Sequence, residues 1–341
     1  MTSSFSSHEL ESLHQDLTAL IHQLPNMKHG KWIERALSVL IRLSEKEIDR
    51  LDWKILSASL EDMERGFEVF YPYRHIPKVT IFGSGRVLPD SPEYQMALAF
   101  ARKISAQGYL VITGGGAGIM QAGNEGAGAE NSFGLNIQLP YEQEANPFIE
   151  GNSKSVNFKY FFTRKLFFLR ETDAIAIFPG GFGTMDEALE CLTLCQTGRF
   201  KPLPLVFIDR PNGDYWQAWD AHIRQHLIQP GLANREDTNL YTITDNLEVA
   251  VDAINSFYRV YHSSRYVADK FVIRLRSELS DASVEKLNAE FSDILVKGKI
   301  EKTRAFPQEL GDETADLPRL VMYFNQQNWG RLYQLIAAIN Q

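Results

Sequence analysis

Ala174-Ile175-Ala176-Ile177-Phe178-Pro179-Gly180-Gly181-Phe182-Gly183-Thr184-Met185-Asp186-Glu187 passes from a continuous apolar run, through a glycine-rich turn, into a helical pattern. So short an apolar run suits a strand covered on both faces, as the inner strands of a parallel sheet are. Four more runs share this character: Val79–Phe82, Tyr109–Ile112, Gly134–Ile137 and Leu203–Ile208. Helical spacing returns between and after them, over Pro92–Ala106, Gly118–Gly128, Tyr160–Thr172, Thr184–Thr197 and Tyr215–Ile228. The alternation predicts an α/β fold, a doubly wound parallel sheet running from Lys78 to about Tyr258.

Outside that stretch the pattern changes. At 341 residues the chain exceeds the roughly 100–200 of a typical domain, so additions are expected. Residues 1–76 read as an N-terminal helical extension. Leu10, Leu13, Leu17, Leu20 and Ile21 recur at helical spacing, and so do Trp32, Ala36 and Leu40. Ser44-Glu45-Lys46-Glu47 has the spacing of a capping box and is expected to open a further helix. Residues 77–262 carry the parallel sheet. Residues 268–341 read as a small α+β module: a strand at Phe271–Leu275, a helix over Ser283–Val296, two strands, and a helix at Trp329–Ile339.

Composition narrows the function classes. Hydrophobic residues make up 44% and charged residues 23%, the balance of a globular chain rather than a disordered or fibrous one. No apolar run approaches the roughly 18 residues of a membrane span, and Met1-Thr2-Ser3-Ser4 opens no signal peptide. The formal net charge of −8 argues against nucleic-acid or acidic-membrane partners. Cys191 and Cys195 make no disulfide framework, fit a reducing cytoplasm, and read as core residues one helical turn apart.

Ligands of open α/β sheets bind beyond the carboxyl ends of the strands. Three glycine-bearing turns fall there: Gly83-Ser84-Gly85, Gly114-Gly115-Gly116-Ala117-Gly118, and Pro179-Gly180-Gly181-Phe182-Gly183-Thr184. Each alone reads equally as a tight connection. Three on one edge predict a phosphate-binding surface of backbone N–H groups and helix N-termini. None completes G-x-G-x-x-G, which disfavours a dinucleotide, and no P-loop motif is present, which leaves a mononucleotide or sugar phosphate. Glu187 follows the third turn by about one helical turn and is placed to face the same ligand, whereas Asp186 points about 100° away. Arg164 and Lys165 interrupt an aromatic helix. Taken alone they read as long cations snorkelling at its rim. His222 and His226 have metal-ligand spacing but lack the H-E-x-x-H glutamate, so a solvated helix face is the expectation.

The nine residues Pro179–Glu187 match the P-G-G-x-G-T-x-x-E signature, and the chain thereby resembles the LOG (Lonely Guy) family. These are cytokinin riboside 5′-monophosphate phosphoribohydrolases, often mislabelled lysine decarboxylases. The Arg164-Lys165 pair fits the family's second signature, and Arg164 lies 23 residues before Glu187, as the family pattern requires. The Gly83-Ser84 turn and Gly114-Gly115-Gly116 with Gly118-Ile119-Met120 also fit. Leu139-Pro140-Tyr141-Glu142-Gln143 and Gln196-Thr197-Gly198 resemble the longer bacterial members. The likeness runs from about Lys78 to Phe257.

This resemblance implies a Rossmann-like domain that hydrolyses the N-glycosidic bond of a nucleoside 5′-monophosphate, AMP or an N6-modified AMP, to free base and ribose 5-phosphate. Glu187 would stabilise an oxocarbenium-like ribose, as carboxylates do in glycoside hydrolysis generally. Arg164 would hold the nucleotide and help stabilise the departing base or the phosphate. Gly181, Gly183 and Thr184 would bind phosphate, with Ser84, Gly115, Gly116, Lys165 and Thr193 around the same pocket. The resemblance calls for no metal or cofactor. It implies a homodimer or higher homo-oligomer, because the family's active site lies close to a dimer interface. A non-catalytic nucleotide or cofactor carrier on the same fold is the competing reading.

Overall fold

The computed structural model describes residues 6–139 and 145–341 and divides into two compact units, Met1–Leu60 and Glu61–Gln341. Met1–Ser4 and the Pro140–Gln143 part of the longer-member motif lie outside the described residues. The first unit contains α1 (Ser7–Gln23), α2 (Gly30–Ser44) and the start of α3 (Arg50–Phe70). A capping box does occur, but at Ser6: Glu9 N donates to the Ser6 hydroxyl, and Ser6 N donates back to the Glu9 carboxylate at 2.8 Å. The box expected at Ser44 is not there. Ser44 is the last residue of α2, its hydroxyl donates to the Ile41 carbonyl at 2.8 Å, and the next helix begins only at Arg50. The hydroxyl finds its acceptor inside the helix it closes, which removes it as a cap for the one that follows.

In the second unit the order is β1 (Lys78–Phe82), α4 (Pro92–Ser105), β2 (Leu110–Thr113), α5 (Ile119–Ala127), β3 (Ser132–Ile137), β4 (Ser155–Phe158), α6 (Phe161–Arg170), β5 (Ala174–Ile177), α7 (Phe182–Gln196), β6 (Leu205–Ile208), α8 (Tyr215–Ile223), β7 (Thr242–Thr244) and α9 (Leu247–Phe257). The strands form one parallel sheet in the order β4-β3-β2-β1-β5-β6-β7, the doubly wound α/β arrangement expected. The five expected strands are its middle. The two outermost, β4 and β7, are additional. They carry no continuous apolar run because edge strands are not covered on both faces: Asn157 of β4 is exposed between buried Val156 and Phe158, and β7 has three residues.

Alternation along β1 shows how the layers are fixed. Val79 and Ile81 face one side, against Ala97 and Phe100 of α4 and Ile254 of α9. Phe82 faces the other, where Phe168 of α6, Ala188 of α7 and Trp216 of α8 complete the core. Cys191 and Cys195 are free and buried, as expected of core residues, and burial pushes both thiols upward. The helix expected over Tyr215–Ile228 is α-helical only to Ile223 and continues as a wider π turn at Arg224–Ile228. His222 and His226 are exposed on it, and among the described residues no group of three or more metal-binding side chains gathers. No helix among the described residues is long and apolar enough to cross a membrane.

The remainder forms β8 (Tyr261–Val267), β9 (Lys270–Leu275), α10 (Asp281–Glu290), β10 (Leu295–Thr303), β11 (Arg319–Phe324) and α11 (Trp329–Ile339). Its antiparallel sheet has the order β10-β11-β9-β8. Two boundaries differ from expectation. β8 was hidden by its polar sequence, and α10 ends at Glu290 because Phe291 turns into the core and Leu295 starts a strand. Glu309, from the β10–β11 connection, is fully buried between Arg274 at 2.7 Å and Arg319 at 3.2 Å. Breaking a buried pair strands its partner's charge and costs about 3–5 kcal/mol. Glu309→Ala is therefore expected to lower unfolding free energy by about that amount in a denaturant titration; a loss under about 1 kcal/mol would contradict the burial of these charges.

Candidate active site

β1 lies between β2 and β5, so the three glycine turns leave adjacent strand ends at the point where the strand order reverses. They are tied together by backbone. Ser84 N donates to the Pro179 carbonyl at 3.1 Å, and Ile119 N donates to the Ser84 carbonyl at 3.0 Å. Gly118 makes the second tie possible: its φ is +66°, and a Cβ there would stand 2.3 Å from the Ser84 oxygen.

Around these turns lies a cavity of about 1040 Å³. Ser84, Arg164, Gly181, Gly183, Thr184 and Glu187 of the expected site residues line it, with Gly114, Arg86, Asn136 and Tyr215. α7 begins two residues earlier than its apolar pattern suggests, with Gly181 as N-cap and Gly183 inside the first turn. No side chain among the described residues caps that end. A Cβ at Gly181 or Gly183 would meet nothing within 4 Å, and neither residue has a positive φ. Neither packing nor conformation therefore demands glycine at these positions. What glycine leaves is bare backbone at a helix N-terminus facing open space, the geometry that accepts an anion.

The Gly114–Gly116 turn works differently. Gly115 and Gly116 are buried and do not line the cavity; both of their carbonyls accept from Asn146 Nδ2 at 3.1 Å. A Cβ at Gly115 would strike Asn136 Oδ1 at 2.2 Å, and one at Gly114 would strike Arg164 Nη2 at 2.5 Å. Here glycine makes room for the protein's own side chains.

Arg164, in the first turn of α6, is not a rim cation. Its Nε donates to the Leu135 carbonyl at 2.6 Å, its Nη2 to Gly114 at 3.2 Å, and its guanidinium lies 5.0 Å from the Phe168 ring centroid. Burial lowers its pKa to about 10, against the pull of Glu187, so it stays charged at neutral pH. Lys165 is set back from the cavity wall. Its Nζ lies 2.7 Å from Asp186, 2.7 Å from Glu190 and 3.7 Å from Glu187. Burial works against its charge, but the bonds from Asp186 and Glu190 prevail and raise its pKa. Asp186 is exposed as expected, yet it also pairs with Lys165 and lines the cavity. Thr193 is exposed further along α7, outside the cavity lining, with its hydroxyl donating to the Leu189 carbonyl of its own helix at 2.8 Å.

Glu187 sits in tension. One lysine is shared among three carboxylates, and Glu187 Oε2 is buried with no hydrogen-bond partner among the described residues. Burial pushes the carboxyl up to about 7; Lys165 and Arg164 pull it down, while Asp186 and Glu190 push it further up. Glu190 was not singled out from sequence, although its three-residue spacing from Glu187 places both on one face of α7. Tyr215 carried no motif either; it opens the helix after β6, and its hydroxyl donates to the Gly180 carbonyl at 2.7 Å.

Because the folded carboxyl titrates above its unfolded value of 4.5, the folded chain holds a proton that the unfolded chain releases between about pH 4.5 and 7. Stability contributed by this group is present below that window and lost as pH rises through it. Glu187→Gln is expected to melt a few degrees above the native protein at pH 8, with the gap closing by pH 4; equal melting at both pH values would contradict the assignment.

Residues 110–254 match the family model described as "Possible lysine decarboxylase". A curated relative from Oryza sativa subsp. japonica, named "Probable cytokinin riboside 5'-monophosphate phosphoribohydrolase LOGL3", is 27% identical over 138 residues. The match covers 39% of this chain and 64% of that relative's length. Among solved structures, a molybdenum cofactor binding protein from Rippkaea orientalis is 16% identical over 53% of this chain and 97% of its own, with a TM-score of 0.38. A structural-genomics target is 25% identical over 53% of this chain and 99% of its own, with a TM-score of 0.39. Over residues 110–254, therefore, the chain is similar in sequence to the LOG family, as its Pro179–Glu187 signature implies.

Proposed function

We propose that residues 77–262 form a hydrolase domain that cleaves the N-glycosidic bond of a nucleoside 5′-monophosphate, AMP or an N6-modified AMP, to free base and ribose 5-phosphate. The observation that carries this reading is one cavity wall bearing three elements: the uncapped start of α7, the guanidinium of Arg164, and the buried, unsatisfied carboxyl of Glu187. Phosphate would take the N–H groups of the first turn of α7, where the helix dipole adds to its binding. That places the ribose toward Glu187, one turn further along. As the C1′–N bond breaks, positive charge grows on the ribose, and a carboxylate in a water-poor site stabilises it most. Water adds at C1′ and loses a proton, while the base departs and is protonated. Arg164 holds the nucleotide and assists the leaving base. The domain would work as at least a homodimer, covering the exposed Phe161, Phe162, Leu166 and Leu189 of α6 and α7.

Incubation with AMP is expected to yield ribose 5-phosphate, and Glu187→Ala and Arg164→Ala to lower kcat/KM by about 10²-fold or more. A native protein that binds AMP and releases the base neither from it nor from N6-modified AMP would be a carrier and would overturn the proposal.

The active form of Glu187 is the carboxylate, so activity is expected to fall as pH drops below about 7. Glu190→Gln removes a negative neighbour and frees Lys165, and is expected to move that acid limb to lower pH. A limb unmoved or raised in this variant would contradict the charge arrangement.

A further inference from the structure

α6 carries Arg164 at the end of its first turn and Lys165 directly after, yet has no cap of its own: Tyr160, at the N-cap position, makes no side-chain bond to it. The cap comes from elsewhere in the chain. Asp62, on the part of α3 that belongs to the second unit, is fully buried. Its carboxylate accepts from Lys159 N at 3.0 Å with either oxygen, from Tyr160 N at 3.2 Å and from the Thr163 hydroxyl at 2.6 Å. Arg65 Nη2 donates to it at 2.5 Å from the exposed side. Burying a carboxylate is costly unless its lone pairs are filled, and here they are filled by the strongest available class of bond, at the positive end of a helix.

Lys159 and Tyr160 are the whole connection between β4 and α6. Asp62 thus pins the joint from which α6 departs. The Tyr160 carbonyl then accepts from Arg164 N at 3.2 Å, so the backbone of the cavity arginine hangs one bond from the pinned residue. The guanidinium has little freedom to absorb a shift, since the Leu135 and Gly114 carbonyls fix its other end. We infer that Asp62 is a positioning residue of the active site, one that sets where α6 starts and hence where Arg164 stands relative to Glu187. It lies outside the segment that matches the family model, in a helix to which the signature motifs give no role. The inference rests on the proposed nucleotide hydrolysis.

The test compares full-length Asp62→Ala and Asp62→Asn with the native protein, using AMP. Asp62→Ala is expected to lower kcat about 10- to 100-fold, the scale of a misplaced catalytic group. It is also expected to move the acid limb of kcat/KM to higher pH. Glu187 is faced by Lys165, Asp186, Arg164 and Glu190, and both cations ride on α6, so a shifted α6 draws away charges that hold the carboxyl down. Asp62→Asn keeps an acceptor and is expected to recover most of kcat and the native limb. Asn340→Ala serves as a control for instability alone. Asn340, just past α11, ties the C-terminal module to Phe257, Val260 and Tyr261, outside the cavity lining, so its loss is expected to lower the melting temperature without moving the limb.

Amide exchange over residues 159–166 gives a readout independent of turnover, and is expected to accelerate in Asp62→Ala. Should native protein release base from neither AMP nor N6-modified AMP, the proposed function falls while the exchange result still decides whether Asp62 pins the helix. Unchanged exchange, or an active Asp62→Ala with native kcat and acid limb, overturns the inference. If Asp62→Ala does not fold, Thr163→Val removes one of the same bonds and is read in the same way.

Discussion

The parallel pairing of β1 with β2 on one side and β5 on the other is the constraint on which the site depends. Strand order reverses there, so the connections leaving β1 and β5 pass to opposite faces and a crevice opens between them. The ties from Ser84 to Pro179 and from Ile119 to Ser84 keep the turns in register, and they leave the start of α7 facing the gap. Everything chemical is hung from this frame: Arg164 reaches in from α6, and Glu187 projects from the first turns of α7.

The frame holds a charge arrangement that folding alone would not favour. Asp186, Glu187 and Glu190 share Lys165, and Glu187 Oε2 is left buried with a long ion pair and no hydrogen bond among the described residues. Such an arrangement sacrifices stability above the carboxyl's titration, a common feature of sites built for chemistry. Asp62 is the counterpart. It is a buried carboxylate with every lone pair engaged, and it holds rigid the helix that brings the opposing cation.

The middle of the sheet was legible because burial on both faces leaves a near-continuous apolar run, as in Ala174–Ile177 and Val79–Phe82. β4, β7 and β8 were not, since an edge strand has one face or one rim in water and its sequence is mixed. The paired Arg164 and Glu187 could be read from spacing within a motif. Glu190 and Asp62 could not be assigned roles that way. Glu190 matters only because Lys165 comes from another helix, and Asp62 meets its partners across about a hundred residues of chain. Glycine was the ambiguous letter. At Gly181 and Gly183 it leaves open space beside the cavity, whereas at Gly115 it makes space for Asn136, and the two uses look alike in sequence.

The central claim is that α7 receives the phosphate of a nucleotide whose ribose then lies against residue 187. A crystal structure of Glu187→Gln with AMP tests this directly, because the variant is expected to bind without turning over. Phosphate oxygens are expected to accept from the N–H groups of Phe182, Gly183 and Thr184, with C1′ facing the residue 187 side chain. Phosphate bound away from that helix start, or a ribose turned away from residue 187, would contradict it.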